Sequence, residues 1–373
     1  MVQPRLPAQP RERDIDFVMI TGAGASREFG VNGTKLALMG YWCEALIKRL
    51  NATNLTFTDI TGLQPGLSGL QFEQRLGDFL RRVESFGEIE PLLRASTQFP
   101  GAPPNLGGDV LPEWHRQTVH QLDQIIEVIR GSLYEEFGAP SIDLGAAASA
   151  YSGLLTALGI GNGTRWAYAT TNYDWIGDSV IRQLGGCPDY GAVTSTQSTA
   201  EGRLVLHNLL DGMPRYTPVL HIHGRVGWYR RRGGEVYSSN ITQHDMNYGV
   251  PIVMLPDPRK IYDSDDVINL VWSQFVSALR RAKRVFVLGH SLNDAALVRA
   301  IAENVEPLDR VGVALLCSPG NEGELDQNAG SVLQTVIDHL GNAAQIPMRF
   351  GDGLATGRTG IEKWLERTDP SSH

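Results

Sequence analysis

Short apolar runs recur along the chain without the alternation of apolar and polar residues that half-buried strands show. Such runs are typical of strands that are buried on both faces of a sheet. Stretches with apolar residues at helical spacing separate most of them, and this alternation predicts an α/β fold with a Rossmann-like, doubly wound parallel sheet. The predicted strands are 17–20, 166–169, 219–222, 252–255, 285–288 and 311–316, with a further candidate at 346–350, and the predicted helices are 35–50, 176–184, 267–281, 295–304 and 322–340.

The pattern changes after residue 50, where apolar positions recur only at helical spacing. A loop rich in proline and glycine, at 99–108, splits this stretch, and a further helix is predicted at 146–158. We therefore predict a helical subdomain inserted into a discontinuous sheet domain. The predicted division is a sheet domain at 15–50 and 160–352, a helical insert at 51–159, and tails at 1–14 and 353–373.

The composition indicates a folded protein, because 42% of the 373 residues are hydrophobic and 20% are charged. The net charge is −8, so contact with a nucleic-acid backbone would need a local basic patch. We expect no sequence-specific binding to nucleic acid. The apolar runs are far shorter than the ~18 residues that span a bilayer, and residues 1–14 lack the apolar segment of a secretory signal. These features predict a cytoplasmic protein that binds no membrane.

The chain contains three cysteines, Cys43, Cys187 and Cys317. An odd number with no close pair argues against a disulfide framework and against a CxxC zinc ribbon, and favours a reducing compartment. We therefore expect neither a structural zinc ion nor a catalytic metal.

Polar or glycine-rich clusters directly follow four of the predicted strands. They are TGAGAS at 21–26, TTNYD at 170–174, HIHG at 221–224 and GHSLND at 289–294. In an open parallel sheet, ligands bind outside the carboxyl ends of the strands. Because all four clusters fall at such ends, we expect them to lie along one edge of one sheet.

The first cluster suits a diphosphate, because Gly22 and Gly24 let the backbone approach closely and Ser26 adds a hydroxyl donor. The alternative is a tight turn that needs glycine for packing. The third glycine of the GxGxxG dehydrogenase fingerprint is absent, since position 27 is arginine. A hydride-transfer function is therefore disfavoured.

The second and fourth clusters each precede a predicted helix. Asp174 and Asp294 are therefore candidate helix caps, whereas Asn172 is not needed as a second cap. Gly289 and Ser291 are candidates for contact with a ribose or an adenine.

The third cluster has two histidines that share a face if both lie on the strand. His221 and His223 could be buried core histidines, an HxH metal pair, or a metal-free catalytic histidine. Because Gly224 follows His223, we place His223 at the strand exit and favour it as a general base.

Together the four clusters resemble the motifs of the sirtuin superfamily, over residues 16–50 and about 160–350. GAGAS is similar to its GAGxS, TNYD to its TxNxD, HG at 223–224 to its catalytic HG, and GHSL to its GxSL. The resemblance implies that this edge binds NAD+ as a substrate. It assigns NAD+ binding to Gly22, Ala23, Gly24, Ser26, Thr171, Gly289, Ser291 and Asp294, and catalysis to Asn172, Asp174 and His223.

The chain also departs from the protein-deacylating sirtuins. It has no cysteines for their zinc module, and PIVMLP at 251–256, followed by Lys260, replaces their FGE-type segment. These features and the helical insert are more similar to the bacterial sirtuin-like NAD+ hydrolases of anti-phage defence. We therefore expect an NAD+ glycohydrolase that forms nicotinamide and ADP-ribose. The alternatives are an NAD-dependent protein deacylase or ADP-ribosyltransferase, and a non-catalytic sensor of NAD+ or ADP-ribose.

An NAD+ hydrolase must be held inactive until a signal arrives, and no sensor domain is evident in the sequence. We expect regulation through assembly of a homo-oligomer, with the insert at 51–159 as the candidate surface. The resemblance also implies a partner such as a HerA-type ATPase or a short Argonaute.

A basic stretch from Arg225 to Arg232 is predicted as one arm and the turn of a β-hairpin, with Gly233 and Gly234 at the bend. A solvated charged turn is the first interpretation, and a docking surface for an acidic partner or nucleic acid is the alternative.

Overall fold

The computed structural model describes residues 13–31, 39–52, 61–96, 113–137, 142–190, 192–193, 201–204, 207–231, 233–239, 249–256, 260, 262, 265–316, 327–350, 354 and 357–369. The chain divides into two compact units. The sheet unit comprises Met1–Leu36, Gly138–Met254 and Lys260–His373, and the helical unit comprises Ala37–Phe137 and Leu255–Arg259.

The strands of the described residues all belong to the sheet unit. They are β1 (Ile15–Thr21), β2 (Trp166–Thr170), β3 (Pro188–Asp189), β4 (Ala192–Val193), β5 (Glu201–Leu204), β6 (Thr217–His221), β7 (Gly224–Arg230), β8 (Val236–Ser239), β9 (Val250–Val253), β10 (Ala282–Leu288), β11 (Val311–Leu316) and β12 (Ala344–Met348).

The helices are distributed over both units. They are α1 (Met39–Ala52), α2 (Gly69–Ser96), α3 (Glu113–Phe137), α4 (Leu144–Ala157), α5 (Ile176–Gln183), α6 (Asp266–Arg281), α7 (Ala295–Asn304), α8 (Gln327–Leu340) and α9 (Arg358–Arg367). The predicted helix segments 35–38 and 322–326 and the loop at 99–108 lie outside the described residues.

Seven parallel strands form the central sheet in the order β12-β11-β10-β1-β2-β6-β3. Successive residues of β1 face opposite sides of this sheet, as the pleat requires. Val18 and Ile20 pack into one core with α6 and α7, and Phe17 and Met19 pack into the other with α4, α5 and α9. The sheet is therefore buried on both faces, and the predicted α/β, Rossmann-like fold is confirmed.

A second sheet is antiparallel, in the order β4-β5-β8-β7-β9. β7 and β8 form the predicted hairpin, with Arg230 opposite Val236. The prediction of a parallel strand at 252–255 was wrong, because residues 252 and 253 belong to β9, which pairs antiparallel with β7, and residues 254 and 255 lie beyond the strand. A parallel strand needs a long crossover, usually a helix, and no described helix lies between β6 and β9.

The helical unit has its own aromatic core. The ring of Trp42 on α1 packs edge to face against Phe72 of α2, with ring centroids 5.2 Å apart. It packs in the same way against Phe137 of α3, with centroids 5.8 Å apart. Its indole nitrogen donates to Ser132 Oγ at 3.0 Å.

None of the described helices is long and apolar enough to cross a membrane.

The boundaries of the two units differ from the predicted division. α1, predicted within the sheet domain, belongs to the helical unit. α4, predicted within the insert, belongs to the sheet unit because Tyr151 packs against Tyr168 of β2 and against Phe350. Helical periodicity marks a helix but does not show which core its apolar face enters.

Candidate functional site

The four clusters lie at the carboxyl ends of four neighbouring strands, in the order β10-β1-β2-β6. The chain continues from β1 to β2 on one side, and from β10 to β11 on the other. The gap between β10 and β1 is therefore the topological switch point, where open α/β sheets bind their ligands. The predicted clustering along one edge is confirmed.

The first and fourth clusters interlock through their backbones. Gly22 N donates to Leu288 O at 3.0 Å, and Gly24 N donates to Gly289 O at 2.9 Å. A Cβ on Gly22 would lie 2.7 Å from Gly289 O and 2.8 Å from the backbone of His290. The packing interpretation of this glycine therefore holds, and binding of a diphosphate by residues Gly22, Ala23, Gly24 and Ser26 stays a prediction.

We expect Gly22→Ala to force the two loops apart, because the new methyl group would meet main-chain atoms that cannot rotate away. Overpacking of this kind costs about 1–3 kcal/mol, so the melting temperature should fall. Thermal denaturation measures the effect. Gly161→Ala is the matched control, because nothing lies within 4 Å of a Cβ at Gly161. Unchanged stability in Gly22→Ala would contradict the expectation.

The second cluster fixes the loop that follows β1. Asn172 Nδ2 donates to Gly22 O at 3.1 Å and to Ser26 Oγ at 2.9 Å. Ser26 Oγ donates in turn to Asp174 Oδ2 at 3.1 Å. Thr171 N donates to Thr21 O at 3.0 Å, which ties the two strand ends together. Asn172 therefore spans from the second cluster to the first.

The second carboxylate oxygen of Asp174 accepts from Ile176 N at 3.0 Å, at the start of α5. The N-cap residue of this helix is Trp175, which makes no side-chain cap hydrogen bond. The interpretation of Asp174 as the N-cap was therefore wrong, because Asp174 lies one residue before the cap and binds the first N–H group of the helix from there. Burial raises the pKa of the Asp174 carboxyl, against the opposing effect of the hydrogen bonds from Ile176 N and Ser26.

His223 lies in a buried polar cluster. Its Nε2 is 2.9 Å from Tyr262 Oη and 3.1 Å from Asp294 Oδ2, and Tyr262 Oη donates to Asp294 Oδ2 at 2.5 Å. Lys260 Nζ lies 3.5 Å from the same carboxylate oxygen. Burial and, to a smaller extent, the charge of Lys260 lower the pKa of His223 to about 4, against the opposing effect of its contacts with Asp294 and the Thr171 backbone. His223 is therefore neutral at pH 7.

The turn after His223 needs glycine. Gly224 has φ +75°, and a Cβ there would lie 2.2 Å from Ile252 O. Residues with a side chain rarely adopt this backbone conformation. The predicted position of His223 at the strand exit is confirmed.

His221 has a different environment. β6 ends at His221, so only one of the two histidines lies on the strand and they do not share a strand face. His221 Nε2 is 3.1 Å from Asp178 Oδ1, its ring meets Trp228 at 5.5 Å, and it is fully buried. His221 is therefore a core histidine.

The described residues contain no group of three or more His, Cys, Asp or Glu side chains that could hold a metal ion. Cys43 is buried and Cys187 is exposed, while Cys317 lies outside the described residues.

The fourth cluster has one structural member and one exposed member. Asp294 Oδ1 accepts from Ala296 N and Leu297 N, both at 3.1 Å, and so caps α7 as predicted. Both oxygens of Asp294 thus have protein partners, while the hydroxyl-bearing Ser291 is exposed. His290 Nδ1 accepts from Leu292 N at 2.8 Å, and burial lowers the pKa of His290 to about 3.

The arginines of the predicted basic turn lie in different environments. Arg225 is buried, pairs with Asp178 at 3.0 Å and lies over the Tyr190 ring, so it is a core residue. Arg230 pairs with Asp265 and Asp266 at the start of α6. Arg231 is exposed and lies over the ring of Tyr237, and Arg232 lies outside the described residues.

Sequence reasoning did not assign Tyr262 to the site, and it noted Lys260 only as part of a replaced segment. Both lie between β9 and α6, where no periodicity or motif marks them. Their significance follows only from contacts across the fold.

No protein-family model matches this chain, and no curated protein matches it in sequence.

Proposed function

We propose that the protein is a sirtuin-like NAD+ glycohydrolase, which cleaves NAD+ to nicotinamide and ADP-ribose. The observation that carries the proposal is the buried, neutral His223 at the same sheet edge as the Asn172–Ser26–Gly22 network. His223 contacts the Thr171 backbone, and Thr171 adjoins Asn172. A candidate base, a polar amide and a glycine loop therefore lie along the same edge of the sheet, which supports the proposal.

The leaving group makes few demands on the protein. Oxidised NAD+ carries a cationic nicotinamide ring, so cleavage of the bond between C1′ and the ring nitrogen returns its electron pair to the ring and releases a neutral molecule. Unlike an ordinary glycoside, this substrate needs no acid to protonate the departing atom. The protein must instead hold the substrate and activate water.

His223 would supply the base. One O–H bond of a water molecule breaks, the proton moves to the imidazole ring of His223, and the oxygen forms the new bond to C1′. The proton then passes to solvent, so NAD+ and water give nicotinamide, ADP-ribose and one proton. A positioned histidine base contributes typically ~10²–10⁴-fold in rate.

The other clusters would orient the substrate. Backbone N–H groups of the loop after β1 would meet the diphosphate, and Asn172 would hold the ribose or the carboxamide close to His223. Gly289 and the exposed Ser291 would meet the adenosine ribose. These roles follow the sirtuin resemblance, residue by residue.

We expect purified protein incubated with NAD+ to release nicotinamide, followed by chromatography, without an added protein substrate. Dependence on an acylated peptide would indicate a deacylase, and ADP-ribose attached to protein would indicate a transferase. Tight binding of NAD+ without turnover under any condition, activators included, would indicate a sensor. Each of these three results would contradict the hydrolase.

The biological role that we propose is depletion of NAD+ during anti-phage defence. It requires assembly to control activity, and the helical unit is the proposed surface for a homo-oligomer or for a partner such as a HerA-type ATPase or a short Argonaute. Light scattering of the purified protein measures the oligomer. A strictly monomeric protein that is fully active alone at low concentration would contradict this model.

A further inference from the structure

The loop after β1 uses most of its own hydrogen-bond donors inside the protein. Within residues 22–26, four of the five backbone N–H groups donate to backbone carbonyls. Those of Gly22 and Gly24 donate to carbonyls at the carboxyl end of β10 and directly after it, and those of Ala25 and Ser26 donate back into the loop at 2.9 and 3.2 Å. The loop therefore has little backbone donor capacity left for a ligand.

The polar side chains beside this loop are occupied in the same way. The Ser26 hydroxyl donates to Asp174 Oδ2. The two hydrogens of the Asn172 amide are both used, one by Gly22 O and the other by Ser26 Oγ. A hydroxyl has one hydrogen to donate and an amide has two, so neither group has a donor left for an anion. A diphosphate at this edge of the sheet therefore needs a further donor.

Arg27 directly follows this loop and has donors to spare. Its Nε is buried without a hydrogen-bond partner, and no carboxylate of the described residues forms an ion pair with its guanidinium group. The residue as a whole is half-buried, so part of the side chain stays accessible to a ligand. A buried N–H group without an acceptor destabilises a folded protein, and most such groups in native proteins have a partner. Arg27 is therefore suited to an acceptor that the chain itself does not supply.

The backbone that carries Arg27 is held firmly. Arg27–Phe29 form a short 3₁₀ helix, and the buried Phe29 ring packs against Phe350 and Tyr151 with centroids 5.4 and 6.4 Å apart. A 3₁₀ helix has three residues per turn, so residues 27 and 29 point in different directions. The side chain of Arg27 thus starts from a fixed point between the glycine loop and the core.

We propose that Arg27 binds the diphosphate of NAD+ and of ADP-ribose through its guanidinium group. The planar guanidinium carries a permanent positive charge and a fork of N–H donors that matches two phosphate oxygens. It supplies the charge and the donors that the glycine loop, Ser26 and Asn172 do not have to spare. This inference rests on the proposed hydrolase function and adds to it a residue that recognises the anionic part of the substrate.

Arg27→Met is the decisive variant, because methionine keeps an unbranched apolar side chain and removes the charge and the donors. ADP-ribose is the probe, since it carries the same diphosphate and is not consumed. We expect its dissociation constant, measured by calorimetric titration, to rise about 10–100-fold, the usual effect of losing hydrogen bonds to a charged group. Arg27→Lys keeps the charge without the fork and should give an intermediate value.

Arg367→Met is the matched control, because Arg367 is an exposed arginine at the end of α9. It should leave the affinity for ADP-ribose unchanged. Equal affinities in Arg27→Met and Arg367→Met would overturn the inference, and so would a wild-type protein that binds no ADP-ribose.

Thermal denaturation without ligand separates a binding role from a structural one. An unpaired buried donor that is replaced by an apolar group leaves stability unchanged or raises it. The melting temperature of ligand-free Arg27→Met should therefore be no lower than that of the wild type. A clear fall would assign Arg27 a structural role and overturn the inference.

Nicotinamide release from NAD+, measured on the same proteins, distinguishes this inference from the proposed function. Binding of ADP-ribose that depends on Arg27, without release of nicotinamide by the wild type, supports the inference and overturns the hydrolase. Release of nicotinamide, with an affinity for ADP-ribose that is the same in the wild type and in Arg27→Met, supports the hydrolase and overturns the inference.

Discussion

His223→Gln is expected to reduce NAD+ turnover by ~10²–10⁴-fold, the usual contribution of a histidine base. Glutamine has similar size and can hydrogen-bond to the groups that surround position 223, but it cannot accept a proton at neutral pH. The loss should appear in kcat more than in KM, because the missing interaction belongs to the transition state. Nicotinamide release, measured by chromatography, gives both constants.

The pH dependence of kcat/KM is a second test of His223 as the base. Because the pKa of His223 is lowered to about 4, the ring is already neutral at pH 6. The base acts in its neutral form, so kcat/KM should stay level from neutral pH down to about pH 5 and fall as pH passes through about 4. An unperturbed histidine would cause that fall near pH 6.5.

His339→Gln is the matched control, because His339 is an exposed histidine on α8. His339→Gln should change neither the turnover of NAD+ nor the fall of kcat/KM near pH 4. Full activity in His223→Gln would remove the histidine from the mechanism and with it the main support for the hydrolase.

The sheet could be predicted well because its strands are continuous apolar runs separated by helices. Clusters at strand ends follow from the same pattern, since the carboxyl ends of parallel strands share an edge. The antiparallel sheet could not be predicted as a whole. β4, β5, β8 and β9 have four residues or fewer, and pairing across the sequence defines them.

The surroundings of His223 show the same limit within the site. Its two nearest side-chain partners, Tyr262 and Asp294, follow it by 39 and 71 residues. The sequence identified Asp294 as a helix cap, which is correct for one oxygen, but nothing local shows where the other oxygen points. Residue type and strand position predict a candidate base, whereas the groups that control its protonation depend on tertiary packing.

Asp178→Ala is expected to cost about 3–5 kcal/mol of unfolding free energy, because removal of one partner from a buried ion pair leaves the other charge uncompensated. Asp178 Oδ2 pairs with Arg225 Nε at 3.0 Å, and Asp178 Oδ1 lies 3.1 Å from His221 Nε2. All three side chains are buried, so water cannot replace the lost carboxylate. Arg225 would keep its charge in an apolar environment.

The pH dependence of stability has a defined sign. Burial alone would raise the pKa of the Asp178 carboxyl, but His221 and Arg225 outweigh it and the pKa lies below its ordinary value. The stabilisation of the folded protein by Asp178 is therefore fully present at pH values above the pKa of an unfolded aspartate, near 3.9. It is lost as the pH falls through the lower pKa that Asp178 has in the folded protein. The difference in stability between wild type and Asp178→Ala should be constant at neutral pH and shrink in acid.

Urea unfolding followed by tryptophan fluorescence measures this difference, and Trp228 reports locally because its ring contacts His221. Asp338→Ala is the matched control, since Asp338 is exposed on α8, and surface substitutions usually stay within ~0.5 kcal/mol. A loss in Asp178→Ala no larger than in this control would show that the buried pair contributes nothing net. A large loss would mean that a buried charge cluster holds the end of β6 in place, and the turn that carries the candidate base His223 follows that strand end directly.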